Sequence, residues 1–287
     1  ATGNTSQSVA LGGAANASGY QSVAVGANTI ASGASSVAIG GDDLDRVAST
    51  NFPNYQTAGA NATYNNTSAA KAYFNLTGDY LVDLAKPLTK RSIPTHAGNG
   101  AVALGVQALA SGELSTAFGT RTKATGIASL ALGVGANASK DGAVALGAGS
   151  TTATDAVGVT QATVGSGSSA LTYSGFAGGS SIVAGDQVSI GSVGFESQLK
   201  NLAPGAVTST STDAINGSQL FSVANTLQGK LTRYYSVNST NTAAGSNYAN
   251  DGAGGVDALA AGVNASAAGA GSTAVGLGAK VAADYGV

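Results

Sequence analysis

Ser22-Val23-Ala24-Val25-Gly26 recurs as Ser36-Val37-Ala38-Ile39-Gly40, and an earlier copy stands at Ser8-Val9-Ala10-Leu11-Gly12. The spacing is fourteen residues each time. The register resumes at Ala101-Val102-Ala103-Leu104-Gly105 and continues through Ser115-Thr116-Ala117-Phe118-Gly119, Ser129-Leu130-Ala131-Leu132-Gly133 and Ala143-Val144-Ala145-Leu146-Gly147. Two further copies start at Ala258 and Ser272. Every copy has Ala third and Gly fifth, and self-similarity at a fixed period marks a repeat architecture.

Strand alternation sends the second and fourth positions of each unit to one face and the central alanine to the other. The expectation is that pairs such as Val23 and Val25 face inward. Gly26 then releases the chain into a turn that a side chain would resist. The nine residues before the next unit hold a second short strand, marked by Ala17, Ala31, Ala110, Ala124, Ala138 and Ala267. Two strands and two tight turns fit fourteen residues, and coils stacked at about 4.8 Å per step form a parallel β-roll. So thin a roll calls for a partner, because ordering the backbone costs roughly 1–2 kcal/mol per residue. On this reading the alanine row, including Ala24, Ala38, Ala117 and Ala131, forms a smooth outer stripe for another chain. The alternative is that alanine is there only because it is small and tolerates solvent.

Composition fits a repetitive, non-catalytic chain. Of 287 residues 43 are Gly, only 9% are charged, and Cys, Met and Trp are absent. A net charge of −2 provides no basic field for nucleic acid. With one histidine, His96, no Cys, and Glu113 and Glu196 far apart, no spacing supports a triad, a zinc site or an acid–base pair. No enzyme activity, cofactor or metal site is read. Asp42-Asp43-Leu44-Asp45 reads as turn capping ahead of a cation site.

Between Gly40 and Ala101 the repeat is interrupted by a segment holding Phe52, Tyr55, Tyr64, Tyr73, Phe74 and Tyr80, with three of the four prolines. Tyrosines among mixed polar groups suit recognition surfaces, which makes Tyr55, Tyr64, Tyr73 and Tyr80 candidate ligand-binding residues. The competing reading packs them against the roll as a satellite core. Helical turns are expected around Ala69–Phe74 and Tyr80–Lys86.

A different module is expected to start at Val188-Ser189-Ile190-Gly191. Ser211-Thr212-Asp213 offers an N-cap, and Ile215, Leu220, Val223 and Leu227 follow as the seam of a helix too short to stand alone as a coiled coil.

These units, with Glu196-Ser197-Gln198-Leu199, Asn201-Leu202-Ala203-Pro204-Gly205, Thr212-Asp213-Ala214-Ile215-Asn216 and Gln219-Leu220, resemble the heads and necks of trimeric autotransporter adhesins. Gly41-Asp42-Asp43-Leu44-Asp45 resembles the start of their head insertion. The resemblance implies an all-β fold: a left-handed parallel β-roll of fourteen-residue coils in a homotrimer, followed by a short α-helical coiled-coil neck. It also implies display on the cell surface of a Gram-negative bacterium. The partners implied are two further copies of the chain and matrix proteins, host receptors, sister cells or abiotic surfaces; a structural spacer is the alternative. The expected division is roll at 1–40, insertion at 41–100, roll at 101–165, connector at 166–187, neck at 188–231, connector at 232–252 and a second head-like roll at 253–287.

Overall fold

The computed structural model describes residues 2–3, 7–50, 64–86, 93–166, 170–230 and 237–287. Two compact units emerge, one of residues 1–160 and 176–201, the other of 161–175 and 202–287.

The first unit is a parallel β-roll. Its three-residue strands (Val9–Leu11, Val23–Val25, Val37–Ile39, Val102–Leu104, Thr116–Phe118, Leu130–Leu132 and Val144–Leu146) stack in register, closed by Val188–Ser189, into an eight-stranded sheet. Two-residue strands from Thr2–Gly3 to Asn137–Ala138 form the second, seven-stranded sheet. Equivalent repeat positions pair directly, as Ala24 with Ala38 and Ala117 with Ala131.

Each coil consists of two seven-residue halves, seen in Gly19-Tyr20-Gln21-Ser22-Val23-Ala24-Val25 and Gly26-Ala27-Asn28-Thr29-Ile30-Ala31-Ser32. Each half opens on a turn whose third residue has positive φ, 55° at Gln21 and 53° at Asn28. The fourth residue turns its hydroxyl inward and donates to the carbonyl of the opening glycine, at 2.7 Å for Ser22 to Gly19 and 3.2 Å for Thr29 to Gly26. A buried hydroxyl without such a partner would be destabilising, so the serine and threonine of the repeat are fixed by the turn they close. Gly26 is fixed by the neighbouring coil: its φ is +123°, and a Cβ there would sit 1.8 Å from the Gly40 carbonyl oxygen.

The alanines lie inside. Ala24, Ala38, Ala117 and Ala131 are completely buried, and with Ala17, Ala31, Ala110, Ala124 and Ala138 they make up most of a core built of alanine. The valine and leucine positions face outward, with Leu11 65% and Phe118 48% exposed. This reverses the inside-out assignment expected from the alternation, and it removes the alanine row as a surface for another chain. With only two or three strand residues between turns, the interior holds nothing larger than the alanine methyls of the strands and the short serine and threonine side chains of the turns.

The insertion leaves the roll after Gly41 and re-enters at Thr95, whose Oγ1 accepts from the Gly41 N–H at 3.2 Å. His96–Ala97 already pairs with Ile30–Ala31, so the roll resumes before the expected boundary at 101. His96 Nε2 lies 2.7 Å from Ser32 Oγ across that pairing. Val188–Ser189 likewise belongs to the roll, pairing with Val144–Ala145, rather than opening a separate module.

In the second unit, Gln161–Val164 and Leu171–Ser174 form an antiparallel hairpin. The neck helix runs from Gly217 to Lys230, later than Ser211–Asp213 would start it. Asn216 is its cap: the Gln219 N–H donates to Asn216 Oδ1 at 3.3 Å, and the Asn216 N–H donates to Gln219 Oε1 at 3.1 Å. That reciprocal pair is a capping box, and Asp213 instead accepts from the Ala206 N–H. A second short roll follows, with Leu259–Ala261 on Thr273–Val275 and Ala267 and Ala274 again buried.

The interior tolerates no added volume. Ala131→Leu is expected to destabilise the roll by about 1–3 kcal/mol, the usual penalty for overpacking, measured as a lower urea midpoint by circular dichroism.

Candidate functional site

The roll presents two unlike outer faces. The three-residue strands carry two in-register columns outward, one of Val9, Val23, Val37, Val102, Thr116, Leu130 and Val144, the other of Leu11, Val25, Ile39, Leu104, Phe118, Leu132 and Leu146. Thr116 alone is polar. The opposite sheet presents Asn16, Ile30, His96, Leu109, Lys123 and Asn137, a mixed and wettable surface. Columns of valine, isoleucine, leucine and phenylalanine running the length of the sheet form a contiguous apolar strip of the kind that marks an interaction surface.

The insertion is held against the turns that follow the three-residue strands. Helix α1 (Asp45–Ala48) and helix α2 (Ser68–Thr77) flank a core of Leu44, Ala48, Tyr64, Ala70, Tyr73, Leu81 and Val82. Thr67 caps α2 by accepting from the Ala70 N–H at 3.1 Å, and Gly78 ends it at φ +75°. Four successive left-handed turn residues of the roll form the docking line. Gln107 donates to the Asp42 carbonyl at 2.7 Å, and Arg121 donates to the carbonyls of Tyr80 and Leu81 at 2.9 and 2.6 Å. The other two are glycines that admit the helix closely: a Cβ at Gly149 would lie 2.2 Å from the Leu76 carbonyl oxygen, and one at Gly135 would crowd Tyr73 and Thr77.

This packing settles the candidate tyrosines. Tyr64 is 1% exposed and Tyr73 6%, so both pack in the satellite core, with Tyr73 also lining a groove beside α2. Burial pushes the Tyr73 phenol pKa up, while the Arg121 guanidinium 5.5 Å from its ring centroid pulls the other way. Tyr80 is half-buried with its ring 5.0 Å from that of Phe74. Tyr55 lies outside the described residues. The aspartates beside α1 serve turns, Asp43 accepting from the Asp45 N–H at 2.7 Å and Asp42 accepting from Asn28 Nδ2 at 2.8 Å.

In the neck, Gln219 reaches back to Gly205, accepting from its N–H at 3.1 Å and donating to its carbonyl at 2.7 Å. Asn216 Nδ2 holds the Leu202 carbonyl at 3.0 Å. Ile215, Leu220, Val223 and Leu227 stand 53–62% exposed. The helix therefore presents its apolar residues outward, as the roll does.

A solenoid with a methyl-lined interior and an apolar exterior column, followed in the chain by a helix with an exposed seam, defines a repetitive β-roll protein with apolar surface left uncovered. The family comparisons agree. The YadA head domain repeat matches residues 6–29, 17–42, 97–122, 124–150 and 253–279, and the coiled stalk of trimeric autotransporter adhesin matches 198–243, together more than half of the chain. The chain belongs to the trimeric autotransporter adhesins. Proteins of this family form trimers exposed at the outer-membrane surface; among the described residues here, no helix is long and apolar enough to cross a membrane.

Among solved structures the chain is similar to the C-terminal YadA-like domain of a Burkholderia pseudomallei protein, 39% identical over 38% of this chain and 47% of that one, with a TM-score of 0.32. The chain thus spans about half the length of that domain. It is also similar to the collagen-binding domain of the Yersinia adhesin YadA, 19% identical over 77% of this chain and 99% of that one, with a TM-score of 0.37. No curated protein matches.

Arg121→Ala removes two charge-assisted hydrogen bonds to the insertion, an expected local loss of about 1.5–3 kcal/mol. Hydrogen exchange should accelerate at residues 64–86 while the roll amides keep their protection.

Proposed function

We propose that this chain is a homotrimeric adhesin segment that works by multivalent contact and without turnover. The observation that carries the reading is the outward column from Leu11 to Leu146. An alanine interior contributes only about 0.8 kcal/mol per buried CH2, whereas each outward leucine or phenylalanine offers about 1.5–3 kcal/mol once covered. Three copies facing these columns toward a common axis would supply the missing core, and the exposed seam of the neck helix offers a second apolar surface for association. The interface anticipated at Ala24, Ala38, Ala117 and Ala131 thus moves one residue along each strand.

With the apolar face turned inward, the face left for recognition is the mixed one bearing Asn16, Ile30, His96, Leu109, Lys123 and Asn137. Its side chains repeat at the coil spacing, which suits many weak contacts to an extended or repetitive surface and accumulates affinity by avidity. Matrix proteins, host cells, sister cells and abiotic surfaces are the class of target. The second reading is a structural spacer, and the burial of Tyr64 and Tyr73 favours it for the insertion itself.

Sedimentation equilibrium is expected to give three times 27.3 kDa, and Phe118→Asp should shift the mass toward the monomer without loss of circular dichroism at low concentration. A wild-type monomer would overturn the assembly.

Excision of residues 43–94, joining Asp42 to Thr95, should leave the trimer intact because the two ends already meet. Adhesion to matrix-coated surfaces is then expected to persist if the mixed face binds. Complete loss of adhesion with the trimer preserved would place recognition in the insertion.

A further inference from the structure

Between α1, α2 and the roll lies an open apolar groove of about 330 Å³, floored by Val106, Thr120, Val134 and Ala148 and walled by Val47 and Leu76. Each floor residue comes two positions after the end of an outward apolar strand, so the groove continues the apolar face around one of its edges. Val47, Leu76 and Val134 are 45%, 44% and 37% exposed, and nothing described in the same chain covers them.

The opposite edge of that face is formed by the turns that precede the three-residue strands. It carries three bulky exposed side chains, Tyr20, Leu114 and Ile127, at 52%, 68% and 50% exposure, of which Leu114 and Ile127 stand on the coils that floor the groove. Leu114 is also held at φ +58°, a left-handed position that a leucine occupies at a cost and that glycine holds in the equivalent turns at Gly100 and Gly142.

We propose that the groove is a socket for a second copy of this chain, filled by Leu114 and Ile127 of the neighbouring protomer. The proposal rests on the trimer described above and specifies its corner. Contacts around a three-fold axis are heterologous: one edge of each apolar face must meet the other edge of the next. Rotation about an axis parallel to the roll also keeps equivalent coils at equal height. Leu114 precedes the strand that leads to Thr120, and Ile127 precedes the strand that leads to Val134, so knobs and socket lie on the same two coils. The insertion then acts as a brace that deepens the corner and tightens an assembly that the apolar columns already hold.

The chain contains no cysteine, which makes the test clean. The double variant Val134→Cys/Ile127→Cys, treated as the full chain with a short bis-maleimide, should run as a covalent trimer on a denaturing gel, and each single variant should stay at monomer mass. A trimer by sedimentation in which the double variant links no better than the single variants overturns the socket and leaves the trimer standing. A wild-type monomer overturns both.

A second measurement reads the sign of one substitution. Leu114→Gly relieves the left-handed backbone, so a leucine that contacts nothing would give a trimer that melts higher. A docked leucine gives one that melts lower, and that fall is the expected result.

Discussion

The distance between two sheets that are joined every seven residues governs the rest of this protein. A strand of two or three residues between turns brings the opposed backbones so close that only alanine, glycine and the short hydroxyl side chains fit between them. From that limit follow the alanine rows, the glycines stacked carbonyl against Cα, and the serine and threonine hydroxyls bonded back to their own turns. The outward placement of every larger apolar residue follows too. A fold that cannot bury valine and leucine within one chain leaves them on its outer face, where only association could cover them.

The period, the strand positions and the turns were legible because they repeat, and nine copies of one spacing leave little freedom. Which face points inward was not. Alternation separates Val23 and Val25 from Ala24, but the same pattern serves a wide interior and a narrow one; the deciding fact is the strand length, which only the pairing geometry reveals. The ordinary preference for large apolar residues inside gave the wrong face for that reason. The start of the neck helix was missed for a related one. Asp213 is a good cap by type, yet it is engaged by Ala206, while Asn216 and Gln219 satisfy each other's backbone groups across one turn.

The insertion shows how an unrelated segment is accommodated without disturbing the ladder. Composition alone left its tyrosines open between recognition and a satellite core, and for Tyr64 and Tyr73 the structure takes the second reading. The signal for this lay outside the insertion: the left-handed turn column runs Asn28 before it and Gln107, Arg121, Gly135 and Gly149 after it. Two long donors followed by two glycines are what a helix resting on that column needs. A turn row that changes chemistry partway along a repeat thus reports what lies across it.

The ladder bonds have a mechanical consequence for a molecule held at one end and loaded at the other. They run from coil to coil, along the direction in which the strands are stacked, so tension on that line is borne by the few bonds joining one coil to the next. A coil that peels away frees fourteen residues, about 45–50 Å of contour at 3.3–3.6 Å per residue, and exposes an equivalent coil beneath it. Under load such a roll yields coil by coil, dissipating work at each step, and the coil that carries the insertion is the one that breaks the series of equal increments.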